Sequence, residues 1–205
     1  MKIAIVGNAQ SILAARQGEF IDSHDVVIRF NEFMIKGYEK YCGTKTDIIC
    51  VCRNITLRRM YSNPIYRDYI QDVDTVWYAR TKRKIFTRGC REDEIRRISN
   101  ITNFRYMSPR FFKAVQTKRN RQTKRWLSTG VMGVYIAIEY FKEQEINVMG
   151  FDGFRTHHYY QGNPEIPAVS RQHMKRHKPG KHHCNKTERR ILNRLAQKGR
   201  INLLP

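Results

Sequence analysis

The feature that most constrains the fold is an apolar run near the start of the chain that ends in a glycine. Residues 3–6 predict a buried strand, and Gly7-Asn8 predict a tight turn before a helix over residues 11–18. Further strands are predicted at 25–30, 47–51 and 75–78. The alternation of strands and connectors indicates an α/β fold with a Rossmann-like, mostly parallel sheet, which binds ligands at the carboxyl ends of its strands.

The second half of the chain carries the clearest helix signals. Ser108-Pro109 and Ser128 are typical of helix starts, the second before a helix over 131–141. A strand at 147–151 and a closing helix at 185–197 follow. Residues 156–181, rich in His, Pro and basic side chains, indicate a long active-site or acceptor loop.

The length and charge limit the partners that we expect. A chain of 205 residues suits one catalytic domain over 1–205, and its net charge of +21 favours an anionic partner. Positive charge concentrates at 101–125, with eight basic and no acidic residues, and at 171–200, with eleven basic residues against Glu188. Such segments suit an anionic glycan, a membrane surface or nucleic acid.

Cysteine usage and hydropathy bear on the compartment. The five cysteines are odd in number and show no paired spacing, so we expect them to be reduced. The apolar run at the start is too short for a signal peptide, and no stretch approaches the roughly 20 apolar residues of a membrane span. We therefore expect the protein to be cytoplasmic, with a peripheral contact to the inner membrane face as a further hypothesis.

Polar groups that suit a nucleotide follow two predicted strands and begin one helix. Gly7 and Asn8 end the first strand, and Asn31 ends the second, so they should lie at one edge of the sheet. Ser128, Thr129 and Gly130 offer hydroxyls and free N–H groups at a helix N-terminus. An ordinary turn and an ordinary N-cap are the alternative interpretations.

Histidines supply the candidate catalytic groups. The pairs at 157–158 and 182–183 fit either a metal site or a base with a phosphate contact, and zinc is disfavoured because no CxxC accompanies them. His183 and Glu188 flank the start of the last predicted helix, where the carboxylate could orient the imidazole as a general base.

Together these segments resemble glycosyltransferase family 29, the sialyltransferases, which carry four sialylmotifs in fixed order. Residues 3–8, 18–31 and 43–46 resemble the large motif, and 128–130 with 147–151 the small motif. Residues 158–161 are similar to the third motif, and His183 with Glu188 to the fourth.

The resemblance implies a variant GT-A fold and an inverting, metal-independent transferase that needs no cofactor beyond its CMP-sugar donor. Gly7, Asn8 and Asn31 would bind the nucleotide phosphate, and residues 128–130 would hold the CMP moiety. His158 would face the donor phosphate. His183, with Glu188 as its catalytic partner, would deprotonate the acceptor hydroxyl.

The sequence departs from the animal pattern in ways that leave donor and acceptor open. Ile3 stands at the large-motif cysteine position, residues 141–145 contain no cysteine, and Leu127 replaces a proline. CMP-sialic acid and CMP-Kdo remain alternative donors, the second with lipopolysaccharide as acceptor. A basic nucleic-acid-binding protein without catalysis is the rival interpretation, although we do not expect nucleic acid to be the partner because that would leave His183 and Glu188 unexplained.

Overall fold

A single open sheet organises the protein. The computed structural model describes residues 1–82, 91–118, 125–153, 155–163 and 183–204. Seven strands lie in the order β5-β4-β3-β2-β1-β6-β7, and every paired neighbour runs parallel. The strands are β1 Lys2–Val6, β2 Val26–Phe30, β3 Ile48–Val51, β4 Thr75–Tyr78, β5 Asn103–Tyr106, β6 Glu145–Met149 and β7 Asn202–Leu203. The predicted α/β class and parallel sheet are confirmed.

Helices cover both faces of this sheet. The described α-helices are α1 Gly18–Asp22, α2 Glu39–Cys42, α3 Asn54–Tyr61, α4 Pro64–Ile70, α5 Glu92–Ile98, α6 Pro109–Gln116, α7 Thr129–Tyr140 and α8 Asn185–Gln197, with a 3-10 helix at Gln10–Ala14. None of these described helices has the length and apolarity needed to cross a membrane.

Alternation along the strands divides the core into two layers. In β1, Ala4 and Val6 face a cluster formed with α1, α3, α4 and α5, while Ile3 and Ile5 face α7 and α8. All four side chains are at most 2% exposed. A strand buried on both faces must be continuously apolar, which explains why the sequence predicts β1 so clearly.

The strand order changes direction at β1. The chain builds β2 to β5 on one side of β1 and then crosses to place β6 on the other side. In open α/β sheets, ligands bind at such a switch point, outside the carboxyl ends of the strands. The crevice beyond Val6 and Met149 is therefore the expected site.

Several predicted bounds were wrong for local reasons. The helix predicted over 11–18 is two short helices, because Gly18 begins α1 in close contact with the neighbouring loop; a Cβ there would lie 2.1 Å from the Glu39 carbonyl oxygen. β6 ends at Met149 instead of 151, since Gly150 turns the backbone with a φ of +70°. The helix at 185–197 and the strand at 75–78 are confirmed.

Candidate active site

The ring of Phe151 joins the first loop to the start of α7. A Cβ added to Gly7 would lie 2.7 Å from one edge of this ring, and a Cβ added to Gly130 would lie 2.7 Å from the other edge. Gly7 also meets Gly150 backbone to backbone, since its Cβ would lie 2.3 Å from the Gly150 oxygen. Glycine is therefore needed for close approach at the switch point, and the structure brings predicted residues from two motifs together there.

Asn8 holds the turn that carries Asn31. Its Nδ2 donates to the carbonyl oxygens of Phe30 and Glu32, both at 3.0 Å, and these residues flank Asn31. Asn31 has a φ of +50°, a conformation that asparagine tolerates better than most residues. The amide nitrogen of Asn8 is thus used within the protein, and the predicted contacts of both residues with a nucleotide stay predictions.

The side chain of Asn31 carries an unpaired hydrogen-bond acceptor. Its Oδ1 is buried and has no hydrogen-bond partner among the described residues. Leaving a buried acceptor unpaired costs about 1–3 kcal/mol. An amide oxygen accepts hydrogen bonds, so this atom suits a hydroxyl or amino group of a ligand.

Ser128 caps α7, as the sequence predicts. Its Oγ accepts from the Val131 N–H at 3.1 Å, while Thr129 and Gly130 in the first turn are partly buried. The first N–H groups of a helix and its dipole favour an anion. The helix start beside Phe151 is therefore a suitable place for a phosphate.

Both carboxylate oxygens of Glu188 bind Ser128, and the predicted role of this carboxylate in orienting His183 stays a prediction. Its Oε1 accepts from the Ser128 N–H and its Oε2 from the Ser128 hydroxyl, each at 2.6 Å. Glu188 is 2% exposed, and burial raises the pKa of its carboxyl to about 7 against the opposing effect of the two Ser128 bonds. One turn into α8, its side chain reaches the start of α7.

His183 takes its orientation from the backbone. Its Nδ1 lies 2.7 Å from the carbonyl oxygen of Trp126, two residues before Ser128. A carbonyl can only accept, so Nδ1 carries the proton and Nε2 holds the lone pair when the ring is neutral. This is the tautomer that a general base at Nε2 requires.

His158 lies beside the first loop on the other side of the crevice. It forms an antiparallel bridge with Ala9, and the next residue, Tyr159, donates its N–H to the Asn8 carbonyl at 3.0 Å. The His158 Nδ1 is 2.9 Å from the Tyr160 hydroxyl. The structure therefore brings His158 to the loop that carries Asn8 and His183 to the segment before Ser128.

Arg29 is a buried residue of β2 that bonds to the loop after α2. It is 1% exposed, and its guanidinium donates to the carbonyls of Cys42 and Lys45 and to the Thr46 hydroxyl. The residue fixes the loop after α2, which explains why an arginine stands in an otherwise apolar strand.

Sequence reasoning missed the residues that link the motifs. Phe151, Trp126 and the Glu32 carbonyl position predicted residues, yet none of them has a chemistry that marks a site in a linear sequence. The glycines at 7, 130 and 150 were the available signal, because close backbone approach is a common reason for glycine.

Part of the predicted acceptor loop lies outside the described residues. This holds for residues 164–181, for His182 and for much of the basic segments. Within the described ranges, no group of three His, Cys, Asp or Glu side chains could hold a metal ion, and Cys42, Cys50 and Cys52 form no disulfide there.

An open parallel sheet with its phosphate-suited loop and helix start at the switch point is a nucleotide-binding type of α/β domain. The model of glycosyltransferase family 29 (sialyltransferase) matches residues 1–200, and the chain belongs to this family.

Similar proteins support this assignment. A stretch of 70 residues is 40% identical to beta-galactoside alpha-2,6-sialyltransferase 2 of Bos taurus, covering 33% of the chain and 14% of that relative. A stretch of 168 residues is 24% identical to CMP-N-acetylneuraminate-beta-galactosamide-alpha-2,3-sialyltransferase 2 of Mus musculus, covering 79% of the chain and 47% of that relative. The chain thus spans less than half the length of these curated relatives.

Other comparisons bear on the fold and on the donor. A mammalian sialyltransferase in complex with Gal-beta-1-3GalNAc-ortho-nitrophenol superposes with a TM-score of 0.59 at 19% identity, covering 99% of this chain and 68% of that one. The sialyltransferase CST-II in complex with CMP gives 0.63 at 16% identity, covering 98% and 79%. A beta-1,6-galactosyltransferase of Arabidopsis thaliana is 38% identical over 55 residues, covering 27% of the chain and 14% of that relative, so short similarity within this family does not fix the sugar transferred.

Proposed function

We propose that this protein is an inverting glycosyltransferase that moves sialic acid from CMP-sialic acid to a hydroxyl of an acceptor glycan. The observation that carries the proposal is the junction at Phe151. It joins the loop after β1 to the start of α7; His158 is bridged to Ala9 in that loop, and His183 is bonded to Trp126, two residues before Ser128. Family membership and the fold shared with a CMP-bound sialyltransferase support the choice of donor.

In the proposed reaction, His183 acts as the general base. Its Nε2 takes the proton of the acceptor hydroxyl as that oxygen forms a bond to the anomeric carbon of the donor sugar. The bond from this carbon to the phosphate oxygen breaks on the opposite face, and its electron pair leaves with CMP. Configuration at the anomeric carbon is therefore inverted.

The departing phosphate needs positive charge or hydrogen-bond donors. We assign this role to the N–H groups of Thr129 and Gly130 in the first turn of α7 and to His158, with the Gly7 loop shaping the crevice. Both donors of Ser128 are used on Glu188, so Ser128 positions this turn. Asn31 Oδ1 suits a ribose hydroxyl or the cytosine amine better than the phosphate, because it is an acceptor. The reaction proposed on these groups is independent of metal and of any cofactor besides the donor, and turnover in excess chelator tests that part.

The test is CMP release from CMP-N-acetylneuraminate in the presence of a glycan acceptor mixture, comparing the wild type with His183→Ala. A general base contributes about 100- to 10,000-fold, so we expect a loss in that range. His157→Ala is the matched control, since His157 is exposed and adjacent to His158. Equal turnover in His183→Ala and the wild type would contradict the role of the base.

Two further donors distinguish the alternatives within the reaction class. CMP-Kdo is chemically close to CMP-sialic acid, since both are activated 2-keto acids, and it would be paired with a lipopolysaccharide acceptor. A nucleotide-activated galactose tests the activity of the plant relative. Release of the nucleotide from only one donor assigns the sugar. Turnover of none, with binding to nucleic acid that weakens steeply with salt, would favour the rival nucleic-acid-binding function.

We also propose that the net charge of +21 serves a peripheral contact with the anionic inner face of a membrane, in a cytoplasmic protein. Cosedimentation with vesicles containing anionic lipid should be strong at low salt and weak at high salt. Equal binding to neutral vesicles would contradict this electrostatic contact.

A further inference from the structure

The Tyr160 hydroxyl has one proton and two polar neighbours. It donates to the carbonyl oxygen of Glu32, an atom that can only accept. It also lies 2.9 Å from Nδ1 of His158. Because the single hydroxyl proton is used on the carbonyl, the hydroxyl accepts from His158, and the imidazole carries its proton on Nδ1.

The surroundings of Tyr160 hold this arrangement in place. Tyr160 is 1% exposed, and its ring meets that of Tyr159 edge to face at 4.9 Å. Burial keeps the pKa of the Tyr160 hydroxyl well above its ordinary value, so the hydroxyl stays neutral. The Glu32 carbonyl is fixed by Asn8, and the Glu32 carboxylate lies 2.5 Å from Nε of Arg59.

We infer that Tyr160 is a positioning residue that lets His158 donate a hydrogen bond from Nε2 only when the ring is an imidazolium. With the proton of the neutral ring on Nδ1, Nε2 presents a lone pair, which repels a phosphate oxygen. The charged ring presents an N–H there and adds a positive charge. The inference rests on the proposed function, in which His158 faces the donor phosphate.

The two histidines then act in opposite protonation states. Both direct the Nδ1 proton to a fixed acceptor, His183 to the Trp126 carbonyl and His158 to the Tyr160 hydroxyl. His183 must be neutral to take a proton, whereas His158 must be charged to hold the phosphate. The rate therefore falls on the acid side through His183 and on the alkaline side through His158, which gives a bell-shaped pH profile.

Other ionisable groups surround the His158 ring and Tyr160. Tyr66 and Glu32 interact electrostatically with Tyr160, Tyr159 packs on its ring, and Arg59 pairs with Glu32. The ionisable residues just before His158 in the sequence are Asp152, Arg155 and His157. Asp152 accepts from the N–H and hydroxyl of Thr156. The contact of the imidazole on which the inference rests is the one between its Nδ1 and the Tyr160 hydroxyl.

The test is the pH dependence of kcat/KM for the CMP-sugar donor between pH 5.5 and 9.5. The donor phosphate is a diester with a constant charge, whereas the monoester of CMP takes up a proton near pH 6 and would obscure the profile. In the wild type we expect about a ten-fold loss per pH unit on the alkaline side. In Tyr160→Phe this alkaline limb should flatten while the acid limb stays, because the neutral ring can then carry its proton on Nε2.

Tyr159→Phe is the matched control. Its hydroxyl bonds to the backbone of Met34 instead of to His158, so both limbs should remain. A purely structural effect would lower the whole profile without changing its shape. An unchanged alkaline limb in Tyr160→Phe would overturn the inference while leaving the transferase proposal intact.

A second measurement does not depend on turnover. In protein labelled with ¹⁵N-histidine at alkaline pH, the ring signals lost in His158→Gln identify this residue. The inference expects the proton on Nδ1 in the wild type and on Nε2 in Tyr160→Phe. A proton on Nε2 in the wild type would overturn it, even if no donor turned over and the proposed function itself had failed.

Discussion

Replacing Glu188 with glutamine should remove a pH-dependent part of the stability. The Glu188 carboxyl is 2% exposed, and its pKa in the folded protein is about 7 instead of 4.5. Between about pH 4.5 and pH 7, Glu188 keeps its proton in the folded chain and has lost it in the unfolded chain. The free energy of unfolding therefore falls as the pH rises through this window, by about 2–3 kcal/mol between pH 5 and pH 8.

Equilibrium urea unfolding at pH 5 and pH 8 measures this change. The wild type should lose about 2–3 kcal/mol relative to Glu188→Gln on going to pH 8, because glutamine does not titrate. Glu139→Gln is the control, since it makes the same substitution at an exposed glutamate. A difference between wild type and Glu188→Gln that is the same at both pH values would refute the reasoning about buried charge.

Other substitutions test the parts of the site separately. Ser128→Ala removes the cap on Val131 and leaves one oxygen of the buried Glu188 carboxylate unpaired, so urea unfolding should show a loss of about 2–4 kcal/mol; a loss below 1 kcal/mol would contradict this. Gly7→Ala places a Cβ 2.3 Å from the Gly150 oxygen and should cost about 1–3 kcal/mol while weakening CMP binding; unchanged stability in the same assay would show that the backbone approach is not tight. Glu188→Gln should keep the acid limb of the rate profile, because the Glu188 oxygens accept from Ser128 and Nδ1 of His183 bonds to the Trp126 carbonyl; disappearance of that limb would show that Glu188 acts through the imidazole.

The fold could be predicted where burial or helix capping dictates the residue types of an element. β1, β3 and β4 are buried on both faces and read as apolar runs, and Ser108 and Ser128 cap the helices that follow them. β5 alternates exposed and partly buried residues at the sheet edge, and β7 has two residues, so neither has a clear pattern.

The candidate site could be predicted as a set of residues but not as a set of contacts. The edge of the sheet follows from the ends of parallel strands, which is why Asn8 and Asn31 fall together. The bonds of Glu188 to Ser128 join residues 60 positions apart, so the sequence does not reveal them. The short spacing between His183 and Glu188 suggested instead that Glu188 binds the imidazole. Tyr160 was visible as part of the segment 158–161 that resembles the third motif, but its contact with His158 was not, because its role depends on the Glu32 carbonyl and on no side-chain pattern.

The most direct test of the account is a crystal structure of the protein with CMP. We predict that the phosphate lies at the crevice between Gly7 and the start of α7, within hydrogen-bonding distance of the N-terminal N–H groups of that helix. The cleft of about 470 Å³ lined by Trp77, Arg105 and Tyr140 offers an aromatic alternative on the same face of the sheet as α7. CMP bound in that cleft, away from His158 and His183, would contradict the central claim that the switch point is the active site.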